Sequence, residues 1–341
     1  MRVGIIGTGA ISHKHAQAYR NIGFEVVAAT DNDFRRCEEF TARYGGEPLR
    51  SYQEVCRHPA VDFIDVCTFP DFRLQPLKVA AQAGKHVQVQ KPIAVDLPTA
   101  RGMVDFCRQY GVRLSVVSQH RFDDAILFLK KAIPAGRLGR ILQCDAYVKW
   151  WRSEEYYSRP VKGSWHTEGG GALINQGIHQ IDMMLHLCGP VESVFGMWQL
   201  HARHKIESED VICAVLRYAS GATGVIQAST AMWPGYAERL EIHGTKGTAI
   251  VAGDLLTTWD VQDDEGEPAP LARNISSGAS DPMAISLEPF ERQFTDFAQA
   301  IRQGREPLNS GEAGLRALEL VIAIYTSCRT GNRVDLAALH A

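Results

Sequence analysis

Short apolar runs alternate with longer amphipathic segments along the first third of the chain. Aliphatic and β-branched residues dominate five of these runs, at 2–7, 24–31, 61–69, 86–90 and 112–118. Segments of helical length separate them. Strands and helices that alternate at this spacing are typical of a doubly wound parallel sheet. We therefore predict an α/β Rossmann domain over residues 1–120.

The pattern changes after about residue 139. The later apolar runs are longer and alternate with polar residues, and glycine-containing turns such as ASGATG (219–224) separate several of them. These features predict a large, mostly antiparallel open sheet in a second α/β domain over 121–341. We expect the C-terminal helices to pack back on the first domain, and the polar segment 263–282 to form a surface loop.

A large apolar sheet face rarely stays in contact with water. The second sheet therefore predicts a homodimer or homotetramer that forms through this C-terminal sheet.

The stretch GGGALINQGIHQIDMMLHLCG (169–189) places four polar side chains in an apolar helix predicted over 172–187. Asn175, His179, Asp182 and His186 follow one another at offsets of 4, 3 and 4 residues, which puts them on one helical face. We expect Asn175 and His179, nearest the glycines, to contact substrate. Asp182 is interpreted as an orienting or structural group, and His186 as a structural histidine.

The first strand runs into GTGAIS, a glycine turn that opens a helix. Gly7 would allow the tight turn and Gly9 the close approach of a pyrophosphate. Ala10 and Ile11 would offer backbone N–H groups at the helix N-terminus, where anions bind. Asp31 ends the second strand, where a carboxylate accepts hydrogen bonds from ribose hydroxyls and repels a 2′-phosphate. Because no arginine follows it directly, we predict NAD rather than NADP.

Lys91 follows the apolar run 86–90, and Pro92 stiffens the loop behind it. Ligands of doubly wound folds bind at the carboxyl ends of strands, so Lys91 is a candidate for the cofactor crevice. An exposed lysine at a strand end is the alternative interpretation. Gln119 and Arg121 follow the apolar run 112–118, where Gln119 would reach the nicotinamide amide and Arg121 a substrate oxygen.

Aromatic and basic residues crowd the segment 149–168, just before the glycines. Sugar rings have apolar C–H faces and hydroxyls that need partners, and interleaved aromatic rings and donors suit both. The candidate substrate contacts are Trp151, Tyr156, Trp165 and His166. The alternative is that these side chains form a packing cluster.

Composition narrows the function classes. The 341 residues carry a net charge of −3 and contain no dense basic block, which argues against a nucleic-acid partner. No apolar run reaches the length of a membrane span. The eight cysteines are scattered, as expected for free thiols in a reducing cytoplasm. We predict no metal site, because the histidines lack ligand spacing.

Four motifs together resemble the glucose–fructose oxidoreductase / inositol dehydrogenase / rhizopine-catabolism (Gfo/Idh/MocA) family. They are GTGAIS (7–12), CTFPDF (67–72), VQKPIAVD (89–96) and GGGALINQGIHQID (169–182). The resemblance implies a Rossmann domain followed by an α/β domain built on an open sheet. It also implies NAD(P)-dependent oxidation or reduction at a hydroxyl of a sugar, inositol or related cyclic polyol or glycoside.

The resemblance also implies roles for individual residues. The family's Glu-Lys-Pro corresponds to Gln90-Lys91-Pro92, and its Asp and His on the helix correspond to Asn175 and His179. Thr68 and Pro70 match the family's cofactor loop at the end of the run 61–69, where Arg73 replaces a histidine or polar residue. Gln90 would also lie near the cofactor.

In the implied chemistry His179 accepts the hydroxyl proton and Lys91 stabilises the alkoxide. The reverse assignment stays open. Asn175 can position a hydroxyl but cannot relay a proton as a carboxylate could.

Two other functions fit the same residues. Some relatives cleave glycosides by transient oxidation with tightly held NAD, and a non-catalytic NAD-sensing regulator would also keep the nucleotide fold. The retention of both Lys91 and His179 argues against a sensor.

Overall fold

The computed structural model describes residues 1–159, 161–200, 203–272 and 286–340. The predicted loop 263–282 lies outside the described residues from position 273 onward. The chain forms two compact units. The first comprises Met1–Gln119 with Ser286–Leu315, and the second comprises His120–Ile285 with Arg316–Ala341.

Ten α-helices lie in the described ranges. In chain order they are α1 (Ala10–Asn21), α2 (Phe34–Tyr44), α3 (Tyr52–Arg57), α4 (Leu74–Gln82), α5 (Leu97–Gln109), α6 (Asp124–Ala132), α7 (Glu154–Tyr157), α8 (Ile178–Cys188), α9 (Glu288–Gln303) and α10 (Gly311–Thr330). None of these described helices has the length and apolar character that crossing a membrane requires.

The first unit contains a six-stranded sheet whose strands are all parallel, in the order β3-β2-β1-β4-β5-β6. The strands are β1 (Arg2–Ile6), β2 (Glu25–Thr30), β3 (Glu47–Pro48), β4 (Phe63–Val66), β5 (His86–Val89) and β6 (Leu114–Val116). The buried pattern of β4, with all four residues inside, suits a sheet covered on both faces. The predicted doubly wound parallel sheet is confirmed.

Two elements of this unit were not predicted, the two-residue edge strand β3 and helix α3. The sequence does carry a signal for α3. Ser51 accepts a hydrogen bond from the backbone N–H of Glu54, and the Glu54 carboxylate accepts one from the Ser51 N–H. This is a capping box, which can be found from the Ser and Glu three residues apart.

Helix α9 belongs to the first unit because its aromatic side chains pack on α1. The Phe294 ring lies 4.5 Å from the Tyr19 ring and 5.0 Å from the His15 ring, between centroids. Phe290 and Phe294 are both buried. The late segment of the chain thus completes the hydrophobic core of the Rossmann unit.

The second unit contains an eight-stranded sheet in the order β13-β12-β11-β7-β10-β9-β8-β14. Its strands are β7 (Ile141–Lys149), β8 (Val191–Leu200), β9 (Glu209–Tyr218), β10 (Thr223–Ser229), β11 (Arg239–Gly244), β12 (Gly247–Ala252), β13 (Leu255–Val261) and β14 (Val334–Asp335). Only β7 and β10 pair in parallel, so the prediction of a mostly antiparallel sheet is confirmed.

Burial alternates along β9, as expected for a sheet with one covered face. Helix α8 packs against β7 on the covered side. The other side exposes apolar side chains at paired positions: Phe195 lies opposite Val215, and Met197 opposite Cys213.

Candidate active site

The first helix of the Rossmann unit begins in a turn that only glycine fits. Gly7 has a φ of +92°. A Cβ at this position would also lie 3.1 Å from the carbonyl carbon of Cys67 and 3.2 Å from the backbone nitrogen of Thr68. Residue 7 is therefore glycine both for its left-handed backbone and for the close approach of the loop after β4.

Gly9 keeps the helix N-terminus accessible. A Cβ at Gly9 would meet no heavy atom within 4 Å, and no side chain caps the start of α1. The N–H groups of Ala10 and Ile11, at the start of α1, therefore have no side-chain cap and lie at the positive end of the helix dipole. This is the environment in which a pyrophosphate binds.

Asp31 lies beside this turn and is held in place by it. One carboxylate oxygen accepts hydrogen bonds from the Thr8 backbone nitrogen (2.7 Å) and hydroxyl (3.1 Å), and the other accepts one from the Asp33 nitrogen (2.9 Å). A carboxylate has lone pairs left for ribose hydroxyls. Although no arginine follows Asp31 directly, α2 brings Arg36 to within 3.7 Å of it, which sequence spacing did not reveal.

The loops after β4, β5 and β6 lie at one edge of the sheet because these strands are parallel neighbours. They carry Thr68 with the buried Pro70, then half-buried Lys91, and finally Gln119. Gln119 is 2% exposed, and its carbonyl oxygen has no hydrogen-bond partner among the described residues. A buried acceptor of this kind fits the carboxamide N–H groups of a nicotinamide ring.

Gln90 links the lysine loop to a buried polar network. Its side-chain oxygen accepts a hydrogen bond from the Lys91 backbone nitrogen (3.1 Å), so its amide nitrogen faces Nε2 of His15 (2.8 Å). Nε2 of His15 must then accept, and Nδ1–H donates to Asp65 (2.7 Å). The Gln90 amide can accept a hydrogen bond from the Lys91 N–H and donate one to Nε2 of His15 at the same time. A carboxylate cannot donate, so it would bond to both neighbours only if His15 carried a proton on each ring nitrogen.

His15, Asp65 and Cys67 bring potential metal ligands within 4.8 Å of one another, the one such group in the described ranges. Both ring nitrogens of His15 already take part in the hydrogen bonds to Asp65 and Gln90. We therefore interpret the group as a structural network and assign it no metal.

In the second unit, the glycine segment leads into a π-helical turn, Leu173–Gly177, before α8 begins. The predicted α-helix over 172–187 is thus wrong in its first turn. A π-turn contains more residues than an α-turn. Asn175 is therefore rotated about the helix axis away from the face that an α-helical offset of four residues would share with His179. Both side chains are half-buried.

Glu209 on β9 fixes this segment. Its carboxylate accepts hydrogen bonds from the backbone nitrogens of Gly171 (3.0 Å) and Leu173 (2.8 Å) and from the Tyr325 hydroxyl (2.9 Å). A Cβ at residue 171 would lie 1.9 Å from the backbone oxygen of Glu209, so glycine is required there by close packing. Burial raises the pKa of Glu209 to about 7.

The remaining polar residues of α8 have structural partners. Asp182 forms a buried ion pair with Arg121 through two hydrogen bonds of 2.7 and 2.6 Å. This agrees with an orienting role for Asp182, and it gives no support to Arg121 as a substrate ligand. Burial, with Arg121 and Lys130 nearby, lowers the pKa of His186 to about 3, so this histidine stays neutral.

His120 is a neighbour of His179 that sequence reasoning missed. The two imidazole rings meet edge to face at 5.1 Å between centroids, and His120 bonds to Asp123 at 2.8 Å. Burial opposes protonation of His120, but the carboxylates of Asp123, Glu238 and Asp254 together outweigh it and raise the pKa of His120. The sequence signal is the Asp three residues after the His in SQHRFDD.

The four candidate substrate residues of segment 149–168 have different neighbours. Trp165 packs with Trp198 and Tyr325 in an aromatic cluster, which supports the packing interpretation for it. Trp151 packs edge to face on another indole, and His166 is exposed. Tyr156 is the one that reaches the π-turn, where its hydroxyl accepts a hydrogen bond from Gln176 at 3.3 Å.

Comparison with known proteins identifies the family. A sequence model described as the oxidoreductase family with an NAD-binding Rossmann fold matches residues 1–118, and one for the Gfo/Idh/MocA C-terminal domain matches residues 126–250. A WlbA dehydrogenase from Bordetella pertussis, crystallised with NADH and UDP-GlcNAcA, shares 32% identity over 98% of this chain and 97% of its own, with a TM-score of 0.86. The chain belongs to the Gfo/Idh/MocA oxidoreductase family.

Curated relatives cover the same length. D-apiose dehydrogenase from Paraburkholderia graminis is 28% identical over 99% of this chain and 90% of its own. Inositol 2-dehydrogenase from Rhizobium meliloti is 26% identical over 99% of both chains. This Gfo/Idh/MocA protein is therefore an NAD-binding oxidoreductase, which confirms the predicted family, enzyme class and cofactor.

The buried Glu209 makes stability depend on pH. Its folded-state pKa of about 7 lies above the ordinary 4.5, so between these values the unfolded chain releases the proton first. The free energy of unfolding should therefore fall by about 3 kcal/mol as the pH rises from 4.5 to 7, and level off above. Glu209→Gln should remove this slope in urea unfolding followed by circular dichroism.

Glu207→Gln is the matched control, since it changes an exposed carboxyl two residues away and should leave the slope unchanged. An identical pH dependence in the Glu209→Gln variant and the wild type would contradict this account of the glycine segment.

Proposed function

We propose that this oxidoreductase transfers a hydride between NAD and a hydroxyl-bearing carbon of a sugar, inositol or related cyclic polyol or glycoside. The observation that carries the proposal is the sheet edge where the glycine turn, Lys91 and Gln119 follow parallel strands. The curated relatives named above, dehydrogenases of D-apiose and inositol, support the substrate class.

The bound nicotinamide ring would supply the hydride acceptor. His179 takes the hydroxyl proton, because an imidazole exchanges protons reversibly near neutral pH. The Lys91 ammonium donates a hydrogen bond to the oxygen on which negative charge develops. Asn175 and Tyr156 orient the substrate hydroxyls.

Relatives of this chain are dehydrogenases and reductases. Glycoside cleavage and NAD sensing are therefore not favoured. We also propose that the protein works in the cytoplasm, which the eight unpaired cysteine thiols support.

A substrate panel tests this function. We expect NADH absorbance to increase when the protein and NAD meet at least one member of a panel of inositols, aldoses, anhydrosugars, glycosides and UDP-linked sugar acids. NADP should react more slowly, because Asp31 repels its 2′-phosphate. Release of an aglycone without NADH would contradict the proposal and favour glycoside cleavage.

The catalytic assignment predicts that kcat falls when Lys91 or His179 is replaced, but not when a matched lysine or histidine elsewhere is replaced. Lys91→Met and His179→Gln should each lower kcat about a hundredfold or more on the active substrate. Lys85→Met changes the lysine before β5 rather than after it, and His186→Gln changes the histidine near the other end of α8. Both controls should keep turnover.

A pH–rate profile completes this test, because loss of the base removes the ionisation that limits the rate at low pH. Near-normal turnover by His179→Gln would show that His179 is not the base, and would favour Lys91 in that role.

The exposed face of the second sheet supports a homo-oligomer as a further proposal. Phe195, Val215 and Val225 form one cross-strand row, and Met197, Cys213 and Gln227 form the next. Val215 is 55% exposed and Met197 is 65% exposed. A second copy of the chain would cover these side chains and remove their apolar area from water.

Val215→Glu should convert the oligomer to a monomer in light scattering, because the interface would bury an unpaired charge. Tyr110→Glu is the control, since it places the same charge at an exposed aromatic residue of the first unit and should leave the oligomer intact. A monomeric wild type would rule this proposal out.

A further inference from the structure

One buried arginine joins the two loops that carry Thr68 and Lys91. We propose that Arg73 is a positioning residue, which acts through the backbone to hold Lys91 in place relative to the cofactor loop. This inference rests on the proposed catalytic role of Lys91.

The Arg73 guanidinium donates to carbonyl oxygens of both loops. Nε and Nη2 donate to the Thr68 oxygen at 3.1 and 2.8 Å. Nη1 contacts the carbonyl oxygens of Gln90 and Pro92, and Nη2 lies 3.4 Å from that of Lys91. Three consecutive peptide groups around the lysine are thus tied to the loop after β4.

The backbone N–H of Lys91 is also held by a hydrogen bond. Its N–H donates to the Gln90 side chain, which in turn bonds to the buried His15. Lys91 is therefore fixed by Gln90 before it and by Arg73 behind it. Both of these side chains are buried, Arg73 to 2% exposure.

Only a planar guanidinium suits this site. Its donors point in a fixed fork, so one side chain can reach carbonyls of two separate loops. A lysine would offer one compact ammonium at a single point. Burial lowers the pKa of Arg73 to about 9, so it stays charged at neutral pH.

Burying a cation whose hydrogen-bond acceptors are all backbone carbonyls costs free energy of folding. Such departures from an apolar core are typical of functional sites. Here the departure lies directly beneath the lysine loop.

The experiment compares Arg73→Lys and Arg73→Met with the wild type. On the active substrate of the panel, Arg73→Lys should lower kcat about tenfold or more and change KM less than threefold, because a displaced Lys91 weakens an interaction made in the transition state. Arg73→Met should lower kcat further.

Hydrogen exchange gives a readout that needs neither substrate nor cofactor. Deuterium uptake followed by mass spectrometry should increase in peptides that cover 66–70 and 89–93 in the Arg73→Lys variant, and stay unchanged elsewhere.

Arg137→Lys is the matched control. Arg137 forms a two-point hydrogen bond with Asp264 in the second unit, so its replacement loses the same fork without touching the lysine loop. An equal loss of kcat in Arg73→Lys and Arg137→Lys would show that the loss comes from general destabilisation of the fold, and would overturn the proposal.

These variants distinguish the positioning role of Arg73 from the proposed function. If Lys91→Met is inactive while Arg73→Lys keeps wild-type kcat and exchange, the positioning role is wrong and the proposed function stands. If Lys91→Met keeps turnover, the proposed catalytic role of Lys91 fails, and the positioning role fails with it. If no member of the panel yields NADH, the proposed function itself fails, whereas hydrogen exchange in Arg73→Lys still reports the link between the two loops.

Discussion

The parallel alignment of the strands in the first unit is the constraint on which the candidate site depends. Parallel neighbours end at the same edge, so the loops after them meet there although they are far apart in sequence. Gly7, Thr68, Lys91 and Gln119 each follow a different strand of this sheet. The edge thus combines a helix N-terminus without a side-chain cap, a cation and a buried amide acceptor, a set of groups suited to a nicotinamide dinucleotide and a developing alkoxide.

In the second unit, a buried carboxylate fixes the segment that carries Asn175 and His179. The glycines 169–171 lie outside the named helices and strands, and Glu209 accepts hydrogen bonds from the backbone N–H groups of Gly171 and Leu173. The carboxylate is buried to do so, and its raised pKa records the desolvation. Asn175 lies in the π-turn that follows these glycines and His179 lies in the first turn of α8, so Glu209 on a distant strand holds the start of the segment that carries both.

Local signals made part of the site predictable. The glycine turn and Asp31 lie within one βαβ unit, so spacing alone located them. The π-turn at 173–177 and the Arg121–Asp182 ion pair depend on contacts between segments that are distant in sequence. The periodicity of apolar residues along the chain does not predict such contacts. The role of Arg73 was hidden for the same reason, since its acceptors are backbone carbonyls and any sequence supplies those.

A crystal structure with NAD and the active polyol tests the central claim most directly. We expect a pyrophosphate at the N-terminus of α1, and the Lys91 ammonium and the His179 imidazole both within hydrogen-bond distance of one substrate hydroxyl oxygen. A complex in which either side chain contacts a different group, with the reacting carbon away from the nicotinamide ring, would contradict it.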